Sequence, residues 1–328
     1  MTLEKIGFYT LCDARATSVS PTSQMWRCEM IITEACNFHC PYCRGLESWV
    51  YGDRRVRQLS LEDIKRNIDL WLPLKNLRFS GGEPTTHPAL VESVRYAAQR
   101  GVERIAISTN GSAPHDLYAA LVDAGCNDFS VSLDACCAAQ GDQMAGVSGV
   151  WDGVVETIRY VSSLVYTTVG VVFTPDNLDG LVRTVQLAHN LGVADIRIIS
   201  SAQWNEMPGC LDAIPSDILS AHPILAYRVA RFMRGCNVRG IQDADTRKCF
   251  LVLDDSVIAG DYHFPCVIYM REGGQPIGHV EPSMRAKRVE WHEGHDTHCD
   301  GICSANCLDV CIDHNNAALE APTRKDGE

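Results

Sequence analysis

The sequence predicts an α/β fold built on a parallel sheet. Two observations carry that prediction: six short apolar runs of strand type, and an amphipathic helical segment between each successive pair of them. The first strand runs from Arg27 to Thr33. Ser60-Leu61-Glu62-Asp63 then reads as a capping-box start, with Ile64, Ile68 and Trp71 recurring at helical spacing. The second strand is Leu77-Arg78-Phe79. A helix opened by Pro88 and carrying Leu90, Val91 and Val94 stops at Gly101, ahead of the third strand, Ile105-Ala106-Ile107-Ser108. A helix around Leu117 to Ala124 stops at Gly125 and leads to the fourth strand, Phe129 to Leu133. Val154, Val155, Ile158 and Val161 mark the next helix, before the fifth strand, Thr168 to Phe173. The last clear helix carries Leu178, Leu181, Val182, Val185 and Ala188, and Gly192 separates it from the sixth strand, Ile196 to Ile199. The pattern alone leaves open whether the sheet is closed.

At 328 residues the chain is long enough for a full core and about two structural units. Hydrophobic residues make up 46% and charged residues 21%, as in ordinary globular proteins. No apolar run is long enough to span a bilayer, and the N-terminus lacks a signal-peptide pattern, so a cytoplasmic chain without membrane partners is expected. Sixteen cysteines in such a chain favour metal or redox chemistry over disulfides. With 29 Lys and Arg against 41 Asp and Glu, the net charge of −12 argues against a nucleic-acid partner, whose phosphates need clustered cations.

Three cysteines, Cys36-x3-Cys40-x2-Cys43, follow the first strand within Glu-Ala-Cys-Asn-Phe-His-Cys-Pro-Tyr-Cys. Thiolates at this density suit zinc or an iron–sulfur cluster. A four-iron cube held by only three thiolates keeps one iron open to another ligand. Downstream, the second strand runs into Ser80-Gly81-Gly82-Glu83-Pro84, where missing Cβ atoms let a ligand approach the backbone.

The cysteine triplet followed by Gly-Gly-Glu-Pro resembles the radical S-adenosylmethionine (SAM) superfamily. The resemblance implies a partial (β/α)6 barrel with cofactor and substrate at the C-terminal ends of the strands, where parallel sheets place their ligands. It implies that Cys36, Cys40 and Cys43 hold a [4Fe-4S] cluster whose unique iron chelates SAM. Gly81, Gly82, Glu83 and Pro84 match the turn that receives the SAM amino group, and Tyr42 matches the aromatic near the adenine. Ser108 and Asn110 at the end of the third strand, and Ser132 with Asp134 at the fourth, sit where the SAM ribose and carboxylate are expected. Plain strand-end capping is their other reading.

From Cys249 onward the alternation fades and cysteines become dense: Cys249, Cys266, Cys299, Cys303, Cys307 and Cys311. Cys249, Gly260 and Cys266 resemble the opening of the SPASM or twitch extension, which implies one auxiliary [4Fe-4S] cluster. Its expected ligands come from Cys266, Cys299, Cys303, Cys307 and Cys311, which makes Cys249 the thiol most easily spared. A zinc site remains the alternative, because His292, His295 and His298 flank Cys299. The expected organisation is an N-terminal segment over 1–25, the barrel over 26–240 and the cysteine-rich extension over 241–328.

The chain as a whole resembles the aminoglycoside-modifying branch of the superfamily. That resemblance implies an epimerase (an isomerase) acting on an aminoglycoside in antibiotic biosynthesis. A 5′-deoxyadenosyl radical from SAM removes a hydrogen atom, and Cys249, the expected catalytic residue, returns one from the opposite face. The other reading of Cys249 is a ligand of the auxiliary cluster. Alternatives of other kinds are an amino-sugar dehydrogenase, a peptide-modifying enzyme and a zinc-binding interaction protein. An acidic chain attracts a polycationic sugar, with Asp254, Asp255 and Asp261 as possible amine partners or a solvated loop. A ferredoxin, flavodoxin or other reductase is the expected electron donor, for which Arg54-Arg55-Val56-Arg57 is one docking place. Cys12, Cys28, Cys126, Cys136, Cys137, Cys210 and Cys236 read as packed small hydrophobes.

Overall fold

The computed structural model describes residues 15–45 and 57–320. Six parallel strands, β1 (Arg27–Thr33), β2 (Asn76–Gly81), β3 (Arg104–Thr109), β4 (Asp128–Ser132), β5 (Tyr166–Phe173) and β6 (Asp195–Ser200), lie side by side in chain order. Crossover helices join them: α1 (Leu61–Trp71), α2 (Leu90–Gln99), α3 (His115–Ala124), α4 (Ala138–Ala145) with α5 (Trp151–Leu164), and α6 (Leu181–Asn190). This is the parallel core of a partial (β/α) barrel. Each strand agrees with its predicted position to within two residues. The capping box is present too: Ser60 Oγ accepts from the Asp63 N–H, and the Asp63 carboxylate accepts from the Ser60 N–H.

Side chains alternate across each strand, so the sheet has two different faces. Phe79, Ile107, Phe129, Val169 and Ile198 are fully buried in the main core. Their neighbours Arg78, Ser108, Ser130, Gly170 and Arg197 are only partly covered and face the other way. The first face packs under the helices, and the second forms a polar bore.

Beyond β6 come α7 (Ser216–Ala221) and α8 (Pro223–Met233), which the sequence reading did not anticipate. The C-terminal region also differs from expectation, because strand structure does not stop at β6. β7 (Val257–Ala259) pairs parallel with β1, and β8 (Tyr262–Phe264) and β9 (Gly278–His279) continue antiparallel, which extends one sheet to nine strands in the order β6-β5-β4-β3-β2-β1-β7-β8-β9. Four short or medium helices complete it: α9 (Val267–Arg271), α10 (Met284–Gly294), α11 (Gly301–Asn306) and α12 (Asp309–Glu320). Strands of two or three residues are too short to show a period, so the sequence carried no signal for them.

A fully buried arginine holds this region together. Arg288 donates to the carbonyls of Val252 at 2.9 Å and Phe264 at 2.9 Å, and also to that of Asp255. Asp254 is likewise fully buried and pairs with both Arg15 and Arg27. It therefore ties the segment before β1 to the C-terminal region, and it is neither an amine partner nor part of a solvated loop. Among the described residues, no helix is long and apolar enough to cross a membrane.

Candidate functional site

The loop that carries Cys36, Cys40 and Cys43 leaves the C-terminal end of β1. Phe38 anchors it by packing into the core, the His39 N–H donates to the Ala145 carbonyl at 2.8 Å, and the Cys43 N–H donates to the Cys40 carbonyl at 3.0 Å. Cys36 and Cys43 are exposed and Cys40 is half-buried. Burial pushes the Cys40 thiol up to about 11 and the Cys36 thiol upward as well, so a bound cation is what would convert them to thiolates near neutral pH.

The two glycines of the Gly-Gly-Glu-Pro turn have a visible reason. The Gly82 N–H donates to the Thr33 carbonyl at 2.8 Å and the Glu83 N–H to the Ala35 carbonyl at 2.7 Å, which lashes the turn to the start of the cysteine loop. A Cβ on Gly81 would lie 2.2 Å from the Thr33 carbonyl oxygen, and one on Gly82 would lie 2.3 Å from that of Ala35. Only glycine permits this approach. Pro84 then opens a single 3-10 turn through Thr86.

Glu83 is buried and acts inward. Its Oε1 accepts from the Thr85 N–H at 3.0 Å and from the Thr109 hydroxyl at 2.7 Å, while Oε2 accepts from the Asn110 N–H at 2.6 Å. Glu83 thus locks the turn to the end of β3. The Asn110 side chain bridges Asn37 of the cysteine loop, at 2.9 Å, to Ser112. Its Nδ2 also lies 4.0 Å from Cys36 Sγ.

Tyr42, Asn110 and Ser132 line one cavity with Phe38, Cys40, Asp134, Met144 and Trp151. Ser108 is on the inward face of β3 but outside this lining. The Tyr42 hydroxyl donates to the Asp134 carboxylate, whose other oxygen accepts from the Val172 N–H at 2.7 Å. Burial raises Asp134 to about 6, against a usual value of 3.8. Because the folded-state value lies above the unfolded one, the folded protein holds the extra proton between about pH 4 and 6. Stability is therefore expected to fall as pH rises through that window, by about 3 kcal/mol at most. Urea unfolding from pH 4 to 7 checks this, and Asp134→Asn is expected to flatten the slope.

A second cavity, of about 200 Å³, occupies the N-terminal half of the bore, away from the strand ends that carry the cysteine loop and the Gly81 turn. Glu29, Arg78, Arg104, Asp128, Thr168 and Arg197 of the strands line it, together with Asp255, Cys266 and Cys311 of the C-terminal region. Arg104 is neutralised by Asp128. Arg78 and Arg197 each keep a buried Nε without a hydrogen-bond partner.

The third cavity gathers thiols: Cys249, Cys266, Cys303, Cys307 and Cys311 line it together. It shares a wall with the bore made of Leu251, Cys266, Ile268, Leu308 and Cys311. Desolvation pushes Cys249 upward, Cys266 to about 12, and Cys303, Cys307 and Cys311 upward too. Cys299 is exposed and outside the lining. It precedes Asp300, whose carboxylate caps α11 by accepting from Ile302 and Cys303, so the helical face that aims Cys303 inward does not extend to Cys299.

Neither cysteine set closes on a single ion. Zinc at about 2.3 Å from each sulfur brings thiolates to about 3.8 Å of one another. Among the described residues, the one group of three or more ligand atoms all within 4.8 Å of one another is His295, Asp300 and Cys303. Cys36, Cys40 and Cys43 are therefore spread more widely than one ion requires, as are the five C-terminal thiols. Of the three tail histidines only His295 approaches a thiol, Cys303 at 3.5 Å; His292 and His298 bond to the carbonyls of Cys249 and Asp245.

Sequence reasoning missed Arg78, Arg197, Glu29, Met144 and Trp151. The first three were signalled by polar residues at alternate positions inside otherwise apolar strands. Cys28 and Cys126 are buried, as expected of packed thiols, whereas Cys136, Cys210 and Cys236 are half-buried and Cys137 is exposed, against that expectation. Cys12 and Arg54 to Val56 lie outside the described residues, and Arg57 pairs with Glu34 at 2.6 Å.

Residues 30–188 match the model of the Radical SAM superfamily. The chain is 31% identical over 172 residues to a probable GTP 3′,8-cyclase of Saccharolobus islandicus (strain L.S.2.15 / Lassen #1), covering 51% of this chain and 54% of that protein. It is 37% identical over 109 residues to the GTP 3′,8-cyclase of Tolumonas auensis, covering 32% and 31%. The chain thus spans about half the length, or less, of these relatives. In fold it is similar to Streptococcus suis SuiB bound to S-adenosylmethionine, with a TM-score of 0.57 at 12% identity, covering 83% of this chain and 66% of that one. It is also similar to anSMEcpe with bound AdoMet, with a TM-score of 0.54 at 14% identity, covering 90% and 93%.

Proposed function

We propose, from the premise that residues 30–188 are a radical SAM domain and the chain a radical SAM enzyme, that it epimerises an aminoglycoside. The closest specific reading is inversion of C5‴ of neomycin C to give neomycin B. The observation that carries the proposal is the pocket of five thiols, Cys249 among them, which is one more than an auxiliary four-iron cluster needs. Burial keeps Cys249 as a sulfhydryl, the form suited to returning a hydrogen atom.

Cys36, Cys40 and Cys43 would hold the [4Fe-4S] cluster, with SAM received by the Gly81-Gly82-Glu83-Pro84 turn and by Tyr42, Asn110 and Ser132. Once bound, cluster and SAM supply an alkyl radical able to remove hydrogen from an unactivated carbon. Everything else falls to the chain's own residues. Cys249 keeps its proton, because burial disfavours the thiolate, so an S–H is available for a substrate carbon radical. The sulfur radical left behind regains a hydrogen as one proton and one electron, the latter from an external donor such as ferredoxin or flavodoxin. With Cys299 outside the pocket, sparing Cys249 leaves four thiols for an auxiliary [4Fe-4S] cluster: Cys266, Cys303, Cys307 and Cys311. The barrel would occupy residues 26–240 and the auxiliary region 241–328.

A second reading, cyclisation of GTP, is favoured by the names of the relatives. Anaerobic turnover with each substrate separates the two. We expect neomycin B from neomycin C, with 5′-deoxyadenosine formed alongside. Turnover of GTP, or a two-electron-oxidised sugar, overturns the epimerase reading.

A further inference from the structure

Helix α9 reaches both ends of the machinery. Cys266, at its N-cap, lines the thiol pocket, and Cys266 Sγ accepts from the Tyr269 N–H at 3.4 Å. One turn on, the Tyr269 hydroxyl donates to the Asp300 carboxylate at 3.0 Å, and Asp300 in turn holds the Cys303 N–H at 2.9 Å. Two thiols of the pocket are therefore fixed relative to α9.

The other end of α9 points at the SAM site. Arg271 Nη1 donates to the Arg44 carbonyl at 2.9 Å, and its Nη2 donates to the Gly81 carbonyl at 2.9 Å. Arg44 follows Cys43, the last cysteine of the cluster loop, and Gly81 opens the Gly-Gly-Glu-Pro turn. The next residue, Glu272, pairs with the Arg44 guanidinium. A planar guanidinium can span two carbonyls in a fixed geometry, whereas an ammonium acts as a compact point charge.

We propose that Arg271 is a positioning residue that holds the cluster loop and the Gly81 turn in register for SAM, and that α9 couples this register to occupancy of the thiol pocket. The first half stands on the two hydrogen bonds; the second rests on the reading of that pocket as an auxiliary-cluster site. Fixing Cys266 fixes the start of a helix only five residues long, and hence Arg271 at its end. SAM then binds a loop and turn that are already ordered. Such coupling is reciprocal: whatever factor the pocket contributes to SAM affinity, SAM contributes to occupancy of the pocket.

The test uses the anaerobically reconstituted full chain and three readouts: iron content, SAM dissociation constant, and the change in the reduced cluster's electron paramagnetic resonance spectrum when SAM is added. Arg271→Met is expected to keep its iron and weaken SAM about tenfold, equivalent to about 1.4 kcal/mol. If that variant does not load, Arg271→Lys is read instead, with weaker SAM again expected because one ammonium cannot reproduce both bonds. Unchanged SAM affinity in a loaded variant overturns the positioning role. Cys307→Ala removes a pocket thiol at the C-cap of α11, and it is expected to lose the auxiliary iron and weaken SAM. Combined with Arg271→Met it is expected to add little, because both act through one connection. Multiplying effects overturn the coupling and leave the positioning role standing. Retention of all iron in Cys307→Ala counts instead against the auxiliary-ligand reading, and so against the coupling that depends on it.

Discussion

Under the proposed epimerisation, Cys249→Ala is expected to cleave SAM and consume neomycin C without forming neomycin B, a loss of inverted product of at least about a thousandfold. The size follows from what is removed. Alanine leaves the carbon radical no S–H partner in a pocket from which water is largely excluded, and a missing hydrogen donor is not a matter of a few tenths of a barrier; about 4 kcal/mol corresponds to three powers of ten in rate. The fold should tolerate the change. Cys249 makes an apolar contact with the small cluster of Val19, Val252 and Leu253, and losing one buried sulfur costs on the order of 1–2 kcal/mol. Product analysis by chromatography and NMR checks it. Normal yield of the inverted sugar would remove Cys249 from the mechanism.

Cys40→Ala is expected to abolish SAM cleavage altogether while leaving the C-terminal iron in place. Cys40 is the half-buried member of the triplet, flanked by Phe38 in the core and by the His39 bond to Ala145, so its sulfur has the least freedom to be replaced by a neighbour. Two thiolates and a gap do not hold a four-iron group that already relies on three. Production of 5′-deoxyadenosine is the readout, with iron content showing which set was emptied. Cleavage at the wild-type rate would contradict the assignment of Cys36, Cys40 and Cys43.

How far the sequence foretold this arrangement depends on the length of the signal. β1 to β6 are five to eight residues long with apolar outward positions, and each was placed to within two residues. The Ser60 capping box was equally clear, because its two bonds depend only on residues three apart. α4 escaped notice because Ala138–Ala145 is only eight residues long, has Gly141 in its middle and shows little amphipathic contrast. β7 to β9 escaped because two or three residues cannot display alternation.

The site shows the same division. The triplet and the Gly-Gly-Glu-Pro turn were legible because their backbone contacts admit few other residues, as the Cβ positions at Gly81 and Gly82 demonstrate. The role of Glu83 as an internal brace was not legible, since its partners Thr109 and Asn110 lie on another strand. The tail cysteines Cys299, Cys303, Cys307 and Cys311 were all expected among the auxiliary ligands, and an unbroken helix would set such a four-residue spacing on one face. Asp300 breaks that face by starting α11 after Cys299, and a second break separates α11 from α12. Five thiols were still gathered, but Cys249 is among them and Cys299 is not.

That exchange makes the status of Cys249 a countable quantity. The most direct measurement is the iron bound by a chain in which Cys36, Cys40, Cys43 and Cys249 are all replaced by alanine, compared with the chain lacking only the first three. If Cys249 is the hydrogen donor and Cys266, Cys303, Cys307 and Cys311 are the auxiliary ligands, the two proteins bind the same iron and give the same reduced-state spectrum. Loss of that iron on removing Cys249 would make it a ligand and contradict the account.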